Sequence, residues 1–139
     1  MPPTRRGITA LRDCSIINGV VNGNAVGIEL TSSTTVSGCT VTTSIFDGIK
    51  AAHGCRIVDN NCSENGVSTG AGIHITGSDN RVESNHVSQD DAGIDVDAGG
   101  NIIIKNSASG NSLGVFNYEI VAGNTVGEIL DFNPGPGDV

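Results

Sequence analysis

The chain has 139 residues, with 15 Asp or Glu against 7 Lys or Arg, so its formal net charge is −8. This acidic balance argues against nucleic acid and against anionic membranes as partners. No apolar run reaches the roughly 18 residues that a transmembrane helix needs. The basic segment Met1–Arg6 is not followed by an apolar stretch, so we predict no signal peptide. The chain is therefore either cytoplasmic or preceded by a leader or an upstream domain.

A short pattern of small, apolar, polar and apolar residues recurs along the whole chain. Its first apolar position is occupied in turn by Ile8, Ile28, Ile49, Ile73, Ile94 and Tyr118, at steps of 20, 21, 24, 21 and 24 residues. A period in this range indicates a solenoid, in which each repeat buries its apolar side against the neighbouring repeats.

A second stretch in each repeat contains two further apolar positions five residues apart. The first of these is occupied by Ile16, Val36, Ile57, Val82 and Ile103, and the second by Val21, Val41, Cys62, Val87 and Ala108. No segment shows a 3.6-residue period, so we predict no helix. The sequence thus predicts an all-β, single-domain parallel β-helix over residues 7–130, with about six coils of 20–24 residues and three short strands per coil. Residues 1–6 form an N-terminal extension and residues 131–139 a C-terminal tail.

Equivalent strands of stacked coils should pair in parallel at about 4.8 Å, so inward residues form columns. The second inward column of the first strand contains Ala10, Leu30, Ala51, Ile75, Val96 and Ile120. Between the two later strands lie Gly19, Gly38, Asn60, Asn85 and Asn106, which tolerate a left-handed backbone. We expect the three asparagines to form a hydrogen-bonded ladder at this bend.

These repeats resemble the right-handed parallel β-helix family, the pectate-lyase-like solenoids found in many carbohydrate-binding and sugar-processing proteins. The resemblance implies right-handed coils, as does the rule for parallel crossovers. Many members begin with a capping helix, which this sequence lacks. We expect Pro2-Pro3 and the tail 132–137 to fold over the ends; otherwise the chain is part of a longer solenoid or a homo-oligomer, with a homotrimer as the family analogy.

The four cysteines do not have the spacing of a disulfide pair or of a metal site. Cys14 and Cys55 share a column but lie two coils apart, roughly 9–10 Å by strand spacing, which exceeds disulfide reach. Cys39 and Cys62 fall at different positions of neighbouring coils. We therefore predict four reduced cysteines that act as small buried filler.

Outward residues of the first strand form the most informative polar column. Strand alternation places Thr9, Glu29, Lys50, His74, Asp95 and Glu119 in it, with Asp97 in the column beside it. Glu29 should neighbour Lys50, His74 should neighbour Asp95, and Asp95 should neighbour Glu119. The turn residues Asp90 and Asp91 precede Asp95 on the same coil, and Asn65 and Asn111 come from the two longer turns.

Three interpretations of this face compete. In an enzyme of the glycosidase or lyase type, Asp95 and Glu119 would be acid and nucleophile or base, His74 a proton carrier, and Lys50 a cation for a uronate or a base. In a binding module, the same ridge, with Glu29, Asp97, Asp90, Asp91, Asn65 and Asn111, would hold a polysaccharide. In a structural protein, the charges would only pair across strands.

The sequence favours a non-catalytic module with a structural or assembly role that binds carbohydrate on this face. The arginine-rich motif of the lyases and the carboxylate pattern of polygalacturonases are both missing, so the enzyme interpretation stays the alternative. We predict no cofactor. Asp90, Asp91, Asp95 and Asp97 could collect Ca²⁺, but their spacing matches neither an EF-hand nor a nonapeptide calcium repeat, so solvated acids are the favoured interpretation.

Overall fold

The structure, a computed structural model, describes residues 5–67, 69–111 and 116–132. Within these ranges it contains strands and no helix, and therefore no helix long and apolar enough to cross a membrane. The strands are, in chain order, β1 (Ile8–Arg12), β2 (Ser15–Ile17), β3 (Val20–Asn22), β4 (Ile28–Ser32), β5 (Thr35–Ser37), β6 (Thr40–Thr42), β7 (Ile49–His53), β8 (Arg56–Val58), β9 (Asn61–Ser63), β10 (Ala71–Ile75), β11 (Arg81–Glu83), β12 (His86–Ser88), β13 (Ala92–Val96), β14 (Ile102–Ile104), β15 (Asn106–Ser109), β16 (Tyr118–Ile120), β17 (Thr125–Val126) and β18 (Ile129–Phe132).

Every third strand belongs to the same sheet, so each coil contributes one strand to each of three parallel sheets. The first sheet has the order β1-β4-β7-β10-β13-β16, the second β2-β5-β8-β11-β14-β17, and the third β3-β6-β9-β12-β15-β18. This arrangement is a β-solenoid of about six coils and confirms the predicted fold class. Right-handedness stays a prediction.

The predicted inward columns are confirmed by the strand register. On the first sheet Ile49 pairs with Ile28 and Ile73, and Ile94 pairs with Ile73 and Tyr118. The isoleucines from Ile28 to Ile94 in this column are fully buried. Burying such a side chain stabilises the fold by about 1.5–3 kcal/mol, and a coil can bury it only against the next coil.

Glycine precedes the inward isoleucine because neighbouring coils approach closely at this point. A Cβ on Gly27 would lie 2.5 Å from the carbonyl oxygen of Gly48, and one on Gly48 would lie 2.6 Å from that of Gly72. These separations are shorter than any real Cβ contact. The recurring Gly-Ile pair therefore records close backbone approach followed by core burial.

The asparagine ladder is confirmed, but its backbone differs from the prediction. Asn60 Nδ2 donates to Asn85 Oδ1, and Asn85 Nδ2 donates to Asn106 Oδ1, both at 3.0 Å. Left-handed φ angles occur at the preceding residues: 55° at Asn18, 65° at Gly38, 55° at Asp59, 57° at Ser84 and 57° at Lys105. The predicted left-handed backbone is therefore wrong except at Gly38, and Cys39 takes the ladder position, since its N–H donates to Asn60 Oδ1.

Two more ladders lie at the other corners of the coil and were not predicted. At the corner after the first strand, the backbone N–H of Asn80 donates to Asn101 Oδ1, and that of Asn101 donates to Asn124 Oδ1. At the corner after the third strand, the ladder contains Ser44, Asn65, Asp90 and Asn111. Each ladder thus gives buried corner amides an acceptor from the next coil.

The cysteines agree with the prediction except at one position. All four are free, and Cys39, Cys55 and Cys62 are buried. Cys14 is exposed, because it belongs to the first coil and no earlier described coil covers it. The expected end caps at Pro2-Pro3 and 133–137 lie outside the described residues.

Asp90 is the one carboxylate among the described members of the ladders. Its Oδ1 accepts from the Asn65 backbone and side chain at 2.8 and 2.9 Å, whereas its buried Oδ2 has no hydrogen-bond partner in the described structure. The equivalent atom of Asn65, Nδ2, donates to the carbonyl of Val41. Val41 pairs with Cys62, so the matching acceptor for Asp90 is the Cys62 carbonyl. A protonated carboxyl can donate there and a carboxylate cannot.

Replacing this acid by the amide should stabilise the protein at neutral and alkaline pH. Burial raises the pKa of Asp90 to about 7, so its contribution to stability is complete below about pH 4 and is lost as pH rises to about 7. We expect Asp90→Asn to raise the free energy of unfolding by roughly 2–4 kcal/mol at about pH 8 and by much less at about pH 4, measured by urea denaturation.

The matched control is Asp59→Asn, the same chemical change at an exposed corner residue. It should alter stability by a similar small amount at both pH values. An Asp90→Asn variant that is no more stable than wild type at about pH 8 would show that the acid is accommodated as a carboxylate.

Candidate functional site

The outward polar column of the first sheet is present in the predicted register. Lys50 on β7 pairs with His74 on β10, His74 pairs with Asp95 on β13, and Asp95 pairs with Glu119 on β16. Glu29 pairs with Lys50 one coil earlier. The strands hold these side chains on one face because their neighbours in sequence, such as Ile73 and Ile75, are buried on the other.

A groove of about 670 Å³ runs over this column and extends from the turn before β4 to β16. It is lined by Val26, Phe46, Asp47, Lys50, Thr69, Gly70, His74, Asp91, Ala92, Asp95, Phe116 and Glu119. The chain segments that enter β7, β10 and β16 supply Phe46, Gly70 and Phe116, so the variable turns form one wall. The groove therefore combines regular strand positions with residues from the loops.

His74 lies at the centre of the groove between two carboxylates. Its Nδ1 is 3.1 Å from Asp47 Oδ2 and its Nε2 is 2.9 Å from Asp97 Oδ2. Asp95 Oδ2 is farther, at 3.9 Å from Nε2. The hydrogen bond with Asp47 is the main cause that raises the pKa of His74 to about 9, against the opposing effect of burial. The imidazole is therefore charged at neutral pH and donates from both nitrogens.

Asp47 was missed by sequence reasoning although it is buried and contacts two residues of β10. Its Oδ1 accepts from the Ala71 backbone at 3.0 Å while its Oδ2 faces His74. A signal was available, because Asp47 stands two residues before the inward Ile49 and so has the parity of a core position. An acid at such a position requires polar partners.

Asp95 is partly buried among other acidic groups. Burial is the main cause that raises the pKa of Asp95; the charge of His74 lowers it, and Asp97, Glu119 and Asp47 raise it further. A carboxyl in this environment retains its proton to higher pH than an exposed one and can act as a proton donor.

The residues expected on the rim divide into two groups. Asp91 lines the groove and Asp97 reaches His74 from its edge. Asn65 and Asp90 are instead buried in the third ladder, and Asn111 is half-buried there, so these three residues do not form the expected rim. Glu29 is the strand neighbour of Lys50, as expected, and its carboxylate forms an ion pair with Arg6 at 2.8 Å.

Three side chains could hold a metal ion. One ligand atom from each of His74, Asp95 and Asp97 lies within 4.8 Å of the others, and Asp47 orients the imidazole as an outer partner would. A nitrogen and two carboxylates suit Zn²⁺ better than Ca²⁺. Metal binding would require loss of a proton from His74, which its raised pKa opposes.

The four aspartates considered for Ca²⁺ do not share one surface, because Asp90 belongs to the ladder.

Comparison with protein-family models, with curated proteins and with solved structures found no match in any of the three. The architecture of this chain, a parallel β-solenoid of about six coils, therefore follows from its strand pairing alone.

Removing the Asp47 carboxylate should lower the pKa of His74 from about 9 toward its ordinary value. Asp47→Asn retains an oxygen for the Ala71 amide but replaces the charge that faces Nδ1. The protonated His74 ring stabilises the folded protein fully below about pH 6.5, and this stabilisation is lost as pH rises through the folded pKa of His74. Because that pKa is lower in the variant, the variant should lose this stabilisation at a lower pH than wild type. Titration of the His74 ring protons by NMR measures this shift.

Asp13→Asn, at an exposed corner of the first coil, should leave the titration of His74 unchanged. A wild-type His74 that titrates near the ordinary value of about 6.5 would contradict the two-carboxylate arrangement.

Proposed function

We propose that the protein is a non-catalytic β-helix module that binds a carbohydrate chain in the groove of the first sheet. The observation that supports this most directly is the groove itself, which has the polar column along its floor and Phe46 and Phe116 along the wall formed by the turns. Both phenylalanines are 47% exposed. Exposed aromatic rings beside hydrogen-bonding side chains are suited to pyranose rings, which have an apolar face and a polar edge.

The spacing of the solenoid also supports a chain-like ligand. Lys50, His74, Asp95 and Glu119 lie on successive strands, so polar groups repeat every 4.8 Å or so along the axis. Phe46 and Phe116 enter three coils apart, which corresponds to about 14 Å. A polysaccharide whose sugar units repeat at a comparable spacing could contact successive polar side chains along this length of the groove. The likeness of the repeats to the pectate-lyase-like solenoids points to the same class of ligand.

Loss of either aromatic ring should weaken binding. We expect Phe46→Ala and Phe116→Ala each to raise the Kd of the best oligosaccharide about three- to tenfold, or about 1 kcal/mol. The ligand would be found by thermal shift against neutral, acidic and amino oligosaccharides, and its Kd measured by calorimetry. Val20→Ala, which truncates an exposed apolar residue on the third sheet, is the control and should bind like wild type. Wild-type protein that binds none of the oligosaccharides would refute the proposal.

Hydrolysis of the bound chain is the second candidate, because Asp95 and Glu119 lie on directly paired strands and the pKa of Asp95 is raised. Protonated Asp95 would donate its proton to the glycosidic oxygen as the bond from that oxygen to the anomeric carbon breaks. Because paired strands lie about 4.8 Å apart, the two carboxyls suit a retaining reaction, in which Glu119 attacks the anomeric carbon and forms a glycosyl-enzyme. Water that gives its proton to Asp95 would then attack the same carbon and release Glu119. In this scheme His74 and Lys50 would hold the substrate.

If the module is an enzyme, Asp95→Asn should abolish the release of reducing ends without lowering the melting temperature. Asp13→Asn should retain full activity. Binding without any release of reducing ends or unsaturated products by the wild-type protein would leave the binding function alone. Self-association, with a homotrimer as the analogy, and a structural role of the solenoid remain predictions that are independent of the groove.

A further inference from the structure

The charges that line the groove are unequal in number. Four carboxylates stand against two cationic side chains: Asp47, Asp91, Asp95 and Glu119 against Lys50 and His74. An anionic ligand would meet net repulsion in such a groove, whereas a cationic ligand would be attracted to it.

The cation at the centre of the groove already has its partners. His74 directs one nitrogen to Asp47 and the other to Asp97, at 3.1 and 2.9 Å. Both donors are therefore used within the protein, and an incoming carboxylate would have to displace an aspartate to reach them. Among the described residues that line the groove, Lys50 is then the only one that offers a positive charge to a ligand.

The carboxylates that remain are close enough to disfavour one another. Asp95 pairs with Glu119 on the next strand and lies near Asp97 and Asp47. Burial is the largest cause that raises the pKa of Asp95; the charge of His74 lowers it, and these three carboxylates raise it further. A cation bound beside Asp95 and Glu119 would relieve this like-charge interaction. Asp91, the residue immediately before β13, lines the same groove and adds to its negative electrostatic potential.

The two aromatic residues on the turn-side wall of the groove suit the same kind of ligand. Phe46 and Phe116 are about half exposed on the loops that flank the acidic column. Their rings can contact the apolar face of a sugar ring and attract an ammonium group held within about 6 Å. A bare polyamine would meet the charge but would leave these rings unused.

On the basis of the proposed carbohydrate-binding function, we infer that the groove selects a saccharide chain that carries free amino groups and rejects one that carries uronates. The role of Lys50 as a cation for a uronate, considered from sequence, does not suit this charge balance. The protonated amines would lie over Asp95 and Glu119, with the sugar rings between Phe46 and Phe116.

The test compares three oligosaccharides of equal length: a glucosamine oligomer, its fully N-acetylated counterpart and a galacturonate oligomer. At about pH 6, primary amines are largely protonated and exposed carboxyls largely ionised. We expect calorimetry to show at least about tenfold tighter binding of the glucosamine oligomer than of the acetylated one, with a difference that shrinks as salt screens the charges. The galacturonate oligomer should bind most weakly.

Substitutions of the carboxylates distinguish an effect of charge on binding from an effect on the fold. Asp95→Asn and Glu119→Gln should each reduce the preference for the amine about threefold or more by removing a facing carboxylate, while retaining affinity for the acetylated oligomer. Asp13→Asn is the matched control and should keep the full preference. Circular dichroism of all three variants checks that the solenoid is intact.

The outcomes distinguish this inference from the function on which it rests. Equal affinity for the amino and acetylated oligomers, or a preference for galacturonate, would overturn the inference and leave carbohydrate binding standing. Equal affinity for spermine, which has the charge but no sugar ring, would also overturn it. Failure of all three oligosaccharides to bind would overturn both proposals.

Discussion

Each coil of this solenoid turns three corners, and the backbone amides at those corners are buried out of reach of water. Such amides must find partners inside the protein, because an unpaired buried donor costs roughly 1–3 kcal/mol. The structure meets this requirement with a side-chain oxygen from the next coil, as Asn60, Asn80 and Asn65 each provide for the coil before. The ladders therefore stabilise the stacking and also set its register, since a shift of one residue would unpair every corner together.

The candidate site depends on the same register. Lys50, His74, Asp95 and Glu119 are far apart in sequence, and only the pairing of successive first strands brings them into one column. Their neighbours Ile73 and Ile94 are fully buried, which fixes the outward direction of the polar side chains between them. The column of charges thus lies on hydrogen-bonded strands of the first sheet, while the loops contribute the aromatic residues at the edge of the groove.

The sequence was sufficient to predict strand positions, where inward and outward residues alternate. It was not sufficient to predict the residues that form the ladders at the corners. Ile49 and Ile73 could be aligned because inward positions are apolar in every coil, and outward residues such as His74 and Asp95 followed by parity. The ladder positions at the corners were harder to recognise in the sequence, because an early coil has Cys39 and Ser44 there and only later coils have asparagine. Asp47 enters its strand from a variable turn, which has no counterpart of equal length in other coils, so no column indicated its contact with His74.

Asp90 and Asp95 show how the same chemical group acquires opposite consequences in this fold. Burial raises the pKa of both carboxyls. Asp90 occupies a ladder position where the coils on either side use an amide, Asn65 and Asn111, and its second oxygen lacks a partner within the described structure. Asp95 opens onto the groove, where a ligand can reach it. The raised pKa of Asp90 is therefore a cost to folding at neutral pH, whereas that of Asp95, which comes first from burial and then from the nearby carboxylates, belongs to a group that a bound cation can reach. Access to the solvent, rather than the direction of the shift, decides which carboxyl is available for function.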